Sequence, residues 1–168
     1  MSDYQRTTRE CPVSQFHPEL REAFRRYFEE HALADGELET LLSCETISRK
    51  EEAGWLPAFL QGAQDETIMT GMVLTSQRLV WVRRGDRSGL VLNAADLKQI
   101  QVKAYKSLFT KDTGLEVFGF IGDSRGQVRG LIGMGTEPAA QKFCEEVSQA
   151  ISKVAPPAPK TWASWLSR

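Results

Sequence analysis

The chain has 168 residues, 41% of them hydrophobic and 26% charged, enough for one well-formed core with appendages. Its 21 Lys and Arg against 22 Asp and Glu exclude the overall basic excess of a typical nucleic-acid binder, so no nucleic-acid partner is expected and charge-driven contact must come from a local patch. Asp3, Arg6, Arg9 and Glu10 interrupt the N-terminus, no stretch approaches the about 18 apolar residues of a spanning helix, and a cytoplasmic protein is expected.

Residues 1 to 15 are polar and aperiodic and read as a loose arm. From Pro18, the residues Leu20, Ala23, Phe24, Tyr27, Phe28 and His31 recur at steps of three and four, with Gly36 after the end. The spacing predicts an amphipathic helix of about four turns, its aromatic stripe packed on its own domain or, if exposed, on a second copy. Beyond Gly36 the period falls to two, and seven strands are predicted at about 39–48, 66–74, 78–84, 88–92, 98–105, 115–121 and 126–133. The apolar stretch between the first two, with Trp55, Leu56, Pro57, Phe59 and Leu60, is expected to lie across a barrel opening or edge. Arg84-Gly85-Asp86-Arg87 and Gly122-Asp123-Ser124-Arg125-Gly126 read as hairpin turns that supply positive φ. A last helix starts around Thr136, with Ala140, Phe143, Val147, Ala150 and Ile151 on its apolar face. Ala155-Pro156-Pro157-Ala158-Pro159 then forces an extended linker to a Trp-containing tail.

Several of these segments carry a resemblance. Asp35-Gly36-Glu37 leads into the first predicted strand, and Leu74-Thr75-Ser76-Gln77-Arg78-Leu79-Val80-Trp81-Val82 has a threonine, two residues, Arg-Leu and an apolar strand. Asn93 to Ile100, Ser107-Leu108-Phe109 and Ala140 to Phe143 follow in order. This succession resembles the bacterial PH-like domains, close to the YokE-like and GRAM-type group, over about residues 35 to 153. The resemblance implies a mainly β (α+β) fold, a seven-stranded bent antiparallel barrel capped by a C-terminal helix, and a role in binding rather than catalysis. It divides the chain into an N-terminal arm and amphipathic helix (1–34), a PH-like domain (35–153) and a Pro-rich linker with a Trp-containing tail (154–168). Thr75 and Arg78 carry over as fold-defining residues with a local hydrogen-bonding or ion-pair role. Phosphoinositide binding does not carry over, since the first hairpin offers Arg49 and Lys50 against Glu51, Glu52, Asp65 and Glu66.

The chemistry-bearing types form no catalytic or cofactor motif. Cys11, Cys44 and Cys144 are far apart in sequence, the only histidines are His17 and His31, and neither a CxxC nor an HExxH occurs. Gly130-Leu131-Ile132-Gly133-Met134-Gly135 lacks the order and context of a dinucleotide turn and reads as glycines easing a bent strand into the last helix. No cofactor or metal is expected, and the chain reads as a non-catalytic module. Two basic groups stand out: Arg78, Arg83, Arg84 and Arg87 around one hairpin, and Lys98, Lys103, Lys106 and Lys111 in a stretch free of acids. In the second, Lys103, Lys106, Leu108, Phe109 and Lys111 have the composition of a membrane or phosphate contact. The tail offers Trp162, Trp165 and Leu166 at three and four residue spacing, which one turn of helix would put on one side, and they either dock on their own domain or enter another protein, a neighbouring copy or a membrane surface. Protein or peptide association, self-association included, is the expected function, with anionic-lipid attachment as the alternative.

Overall fold

The alternating and doubly apolar runs fold into two antiparallel sheets, with one helix between the first two strands and another after the last. The computed structural model describes residues 4–31, 40–51, 65–106 and 113–154. In chain order the elements are β1 (Tyr4–Glu10), α1 (Pro18–Glu30), β2 (Thr40–Lys50), β3 (Thr67–Thr75), β4 (Arg78–Gly85) and β5 (Gly89–Asp96). They continue with β6 (Ile100–Lys106), β7 (Thr113–Gly119), β8 (Val128–Gly133) and α2 (Pro138–Val154), and short 3-10 turns occupy Val13–Gln15 and Leu97–Gln99. One sheet has the order β1-β2-β3-β4-β5 and the other β6-β7-β8.

Among the described residues, eight strands therefore replace the seven expected, and the ladders form two sheets rather than one closed barrel. The extra strand is β1, read from sequence as a loose arm. It pairs with β2 along its whole length, Tyr4 opposite Lys50 through Glu10 opposite Cys44. Only Thr8 of β1 is buried, so it carries no apolar period. Backbone pairing holds it instead, with the hydroxyls of Thr8 and Thr46 in a buried hydrogen bond at 2.7 Å.

The first sheet is apolar on both faces at its centre, which explains the continuous Met72-Val73-Leu74 and Leu79-Val80-Trp81-Val82 runs. Met72, Leu74, Leu79 and Trp81 face the second sheet and α2, in one core with Leu115, Ile132, Phe143 and Val147. Val73, Val80 and Val82 point the other way, into a second core closed by Phe16, Leu20, Phe24 and Tyr27. The aromatic stripe of the N-terminal helix thus packs on its own sheet. Leu20 and Phe24 are fully buried, each contributing about 1.5–3 kcal/mol.

α1 sits so close to β3 that a Cβ on Gly71 would lie 2.8 Å from Phe24 Cε2 and 3.0 Å from two atoms of the Phe16 ring. The glycines before α2 allow β1 to approach closely. A Cβ on Gly133 would meet Arg6 Nε at 2.6 Å, and Gly135 donates its N–H to Thr8 Oγ1 at 2.9 Å. In the β4–β5 hairpin, positive φ falls on Gly89 (74°) rather than Gly85. Gly85 is needed instead because a side chain there would collide with Asp65 and Ser88. The Trp55–Leu60 stretch and the tail lie outside the described residues. No helix among the described residues is long and apolar enough to cross a membrane.

Candidate functional site

β5 ends the first sheet, and its far edge defines the site. Backbone direction along β4 and β5 follows from two hydrogen bonds: Asp86 N–H donates to Thr67 O, and Gly122 N–H donates to Ala94 O at 2.7 Å. With the antiparallel alternation and the register Arg84–Leu90, Val82–Leu92 and Val80–Ala94, the N–H and C=O groups of Leu90 and Leu92 point away from β4. Among the described residues, no strand pairs with them. Gly122, held in the left-handed region at φ 55°, meets the edge at Ala94.

Beside this edge runs an open groove of about 1060 Å³. Leu90, Leu92 and Ala94 form its floor, α1 one wall, and Gln99 with the Phe120–Asp123 segment the other. The floor residues share the α1 face of the sheet, whereas Val91 and Asn93 face the opposite side. Leu90 is 44% exposed, Val91 42% and Phe120 42%, leaving apolar surface on both faces of the open edge.

Each wall is fixed by hydrogen bonds. At the start of α1, Glu45, buried in β2, accepts His17 N–H at 2.6 Å and is paired with Arg9 at 2.6 Å. At the far end, Tyr27 Oη accepts from Arg78 Nη1 at 3.1 Å. Arg78 leaves a turn clasped by Thr75, whose Oγ1 accepts the N–H groups of Gln77 and Arg78; these are the local roles expected for Thr75 and Arg78. Asp96 accepts Lys98 N–H at 2.8 Å where β5 ends. At the other end of β5, the buried Asp65 takes Arg87 N–H at 2.7 Å, Ser88 N–H at 2.8 Å and Ser88 Oγ at 2.6 Å. Burial opposes its charge, but these bonds hold its pKa down at about 2.

The groove is acidic. Glu19, Glu22, Glu30, Asp96 and Asp123 line it against Arg26 and Arg78. Arg25 and Arg26 hydrogen-bond to Glu22 and lower its pKa to about 2, so it stays ionised. An extended segment with apolar side chains and positive charge matches this combination of edge, floor and rim.

The sequence-predicted sites fall elsewhere or beyond the described residues. Lys103 and Lys106 lie exposed on β6, and the Lys103 backbone pairs with Glu116 of β7. Leu108, Phe109 and Lys111, like Trp162, Trp165 and Leu166, lie outside the described residues. The arginine cluster is not a single patch of free charge: Arg78 bonds Tyr27, Arg83 bonds Ser88, Arg84 pairs with Glu19 and Arg87 with Glu66. The three cysteines are free thiols, and burial pushes Cys44 up to about 12. Among the described residues no group of three or more His, Cys, Asp or Glu side chains is placed to hold a metal ion.

Sequence reasoning missed the groove. Leu90-Val91-Leu92 was legible as a strand, but its position at the sheet edge depends on the pairing of all five strands. A comparison with protein-family models, with curated proteins and with solved structures finds no match in any of the three.

Proposed function

We propose that the chain is a non-catalytic association module of the PH-like kind, which accepts an extended, basic and partly apolar peptide along the open edge of β5. The consecutive antiparallel pairing and the C-terminal helix lying on the sheets support the scaffold reading. The observation that carries the peptide reading is the Leu90 and Leu92 backbone, which no strand pairs with among the described residues, beside an acidic groove with an apolar floor. Strand addition satisfies those backbone groups, and the peptide's alternate side chains meet the two faces of the edge.

The test is a titration of the full-length chain carrying Trp162→Ala, Trp165→Ala and Leu166→Ala with two short extended peptides, one alternating Lys with Trp and Leu, the other with Glu in place of Lys. Amide shifts confined to Leu90, Leu92 and the facing turns of α1, seen with the Lys peptide and weakened by salt, are expected. Equal response to both peptides, or none at β5, overturns the reading.

One observation favours a second reading, attachment to anionic lipid. Lys103 and Lys106 are exposed on the three-stranded sheet that also exposes Phe118 (44%) and Leu131 (52%). Salt-sensitive binding to phosphatidylserine vesicles, removed by Lys103→Glu with Lys106→Glu, supports it, and indifference to lipid charge refutes it.

A further inference from the structure

The geometry points to a specific occupant of the β5 edge: the segment Lys160–Arg168 of the same molecule, added as a short strand beside Leu90 and Leu92. This inference rests on the peptide-acceptor reading and names the peptide.

Charge complementarity is the first argument. The groove places Glu19, Glu22, Glu30, Asp96 and Asp123 against two arginines, while residues 155–168 include Lys160 and Arg168 and no Asp or Glu. Glu22 is already paired with Arg25 and Arg26 and Glu19 with Arg84, and the segment adds positive charge toward the remaining carboxylates, Glu30, Asp96 and Asp123.

Side-chain alternation is the second. A strand added to β5 meets Leu90 on the α1 face and Val91 on the other, both more than 40% exposed. With a period of two, Trp162 and Leu166 fall on one face of the segment and Trp165 on the opposite one. Both exposed faces of the edge are then covered by large apolar side chains, where a peptide apolar on one side only would leave one of them bare.

Reach is the third. Ile151 and Val154 at the end of α2 pack on the core that contains Leu97. Leu97 opens the turn following β5, and Gln99 of that turn lines the groove. The five residues 155–159 include three prolines, and a proline-rich spacer of that length can reach about 15 Å. A tether of that length holds the tail near the groove at an effective concentration of about millimolar, which favours the segment's own chain over a second copy.

The experiment is residue-resolved amide hydrogen exchange on the full chain and on the full-length triple variant Trp162→Ala, Trp165→Ala, Leu166→Ala, each at two protein concentrations. The expected result is that Leu90 and Leu92 exchange about tenfold or more slowly in the parent than in the variant, independent of concentration. A second variant, Lys160→Glu with Arg168→Glu, is expected to accelerate the same two amides. Fast exchange in parent and variant alike overturns the inference, as does equally slow exchange in both. Protection that grows with concentration overturns the intramolecular occupant in favour of a second copy. If Leu90 and Leu92 exchange fast in the parent but gain protection when the free Lys-containing peptide is added, the tail is excluded and the peptide-acceptor reading stands. If that peptide protects them in no variant, the acceptor reading itself fails.

Discussion

Removing the carboxylate of Asp65 is expected to loosen the β4–β5 turn that sets the start of the open edge. Asp65 accepts three hydrogen bonds from Arg87 and Ser88, and a charged acceptor contributes about 1.5–3 kcal/mol per bond when the donors are left dry. Arg87 and Ser88 are exposed, so water partly replaces the lost acceptor, and Asp65→Ala is expected to cost about 2 kcal/mol rather than the full sum. Linkage gives a consistent figure. The carboxyl titrates near 2 in the folded protein and near about 3.9 unfolded, which amounts to about 1–2 kcal/mol after discounting for solvent at the turn. Because the folded pKa is the lower one, this stabilisation is fully present above about pH 4 and is lost as the pH falls through about 2. Urea unfolding of parent and Asp65→Ala, followed by circular dichroism, is expected to show the difference at pH 7 and about half of it at pH 3. A difference below about 0.5 kcal/mol at pH 7, or one unchanged at pH 3, refutes the reasoning.

Other perturbations probe the remaining supports of the groove. Gly71→Ala drives a methyl into the Phe16 and Phe24 rings and is expected to cost about 1–3 kcal/mol in the same unfolding assay; a neutral result means α1 is not seated as described. Tyr27→Phe removes the hydroxyl that accepts from Arg78 and should cost about 0.5–1.5 kcal/mol while leaving the helix in place by amide shifts. Gly114→Ala puts a methyl against the Ile132 carbonyl and is expected to disrupt the β7–β8 pairing, read as faster amide exchange in β8. Cys44 is fully buried with its thiol pushed up to about 12, so it should resist a disulfide reagent at pH 8 until the protein is unfolded in urea.

Strand alternation and helix periodicity were legible because burial imposed them. Phe24 and Tyr27 on α1, and Phe143 and Val147 on α2, recur at helical spacing because each helix lies on one apolar face. β3 and β4 read as unbroken apolar runs because each is covered on both faces. β1 was illegible for the opposite reason: Thr8 is its one buried side chain, and pairing with β2 leaves no pattern in residue type. The site was less legible than the fold. Edge status at Leu90 and Leu92 is a property of strand order, and the groove's acidity depends on α1 carboxylates brought beside Asp96 and Asp123 from distant parts of the chain. Asp65 looked like one acid among several in a loop, whereas the structure makes it the clamp of a hairpin more than twenty residues downstream.

The most direct test of the account is a search for intermolecular nuclear Overhauser effects between backbone protons of a bound Lys-, Trp- and Leu-containing peptide and those of Leu90 and Leu92, on the full-length chain with the tail tryptophans and Leu166 replaced by alanine. The account predicts cross-strand contacts at both residues in a regular two-residue alternation. Contacts confined to Phe118 and Leu131 on the three-stranded sheet, with none along β5, would contradict it.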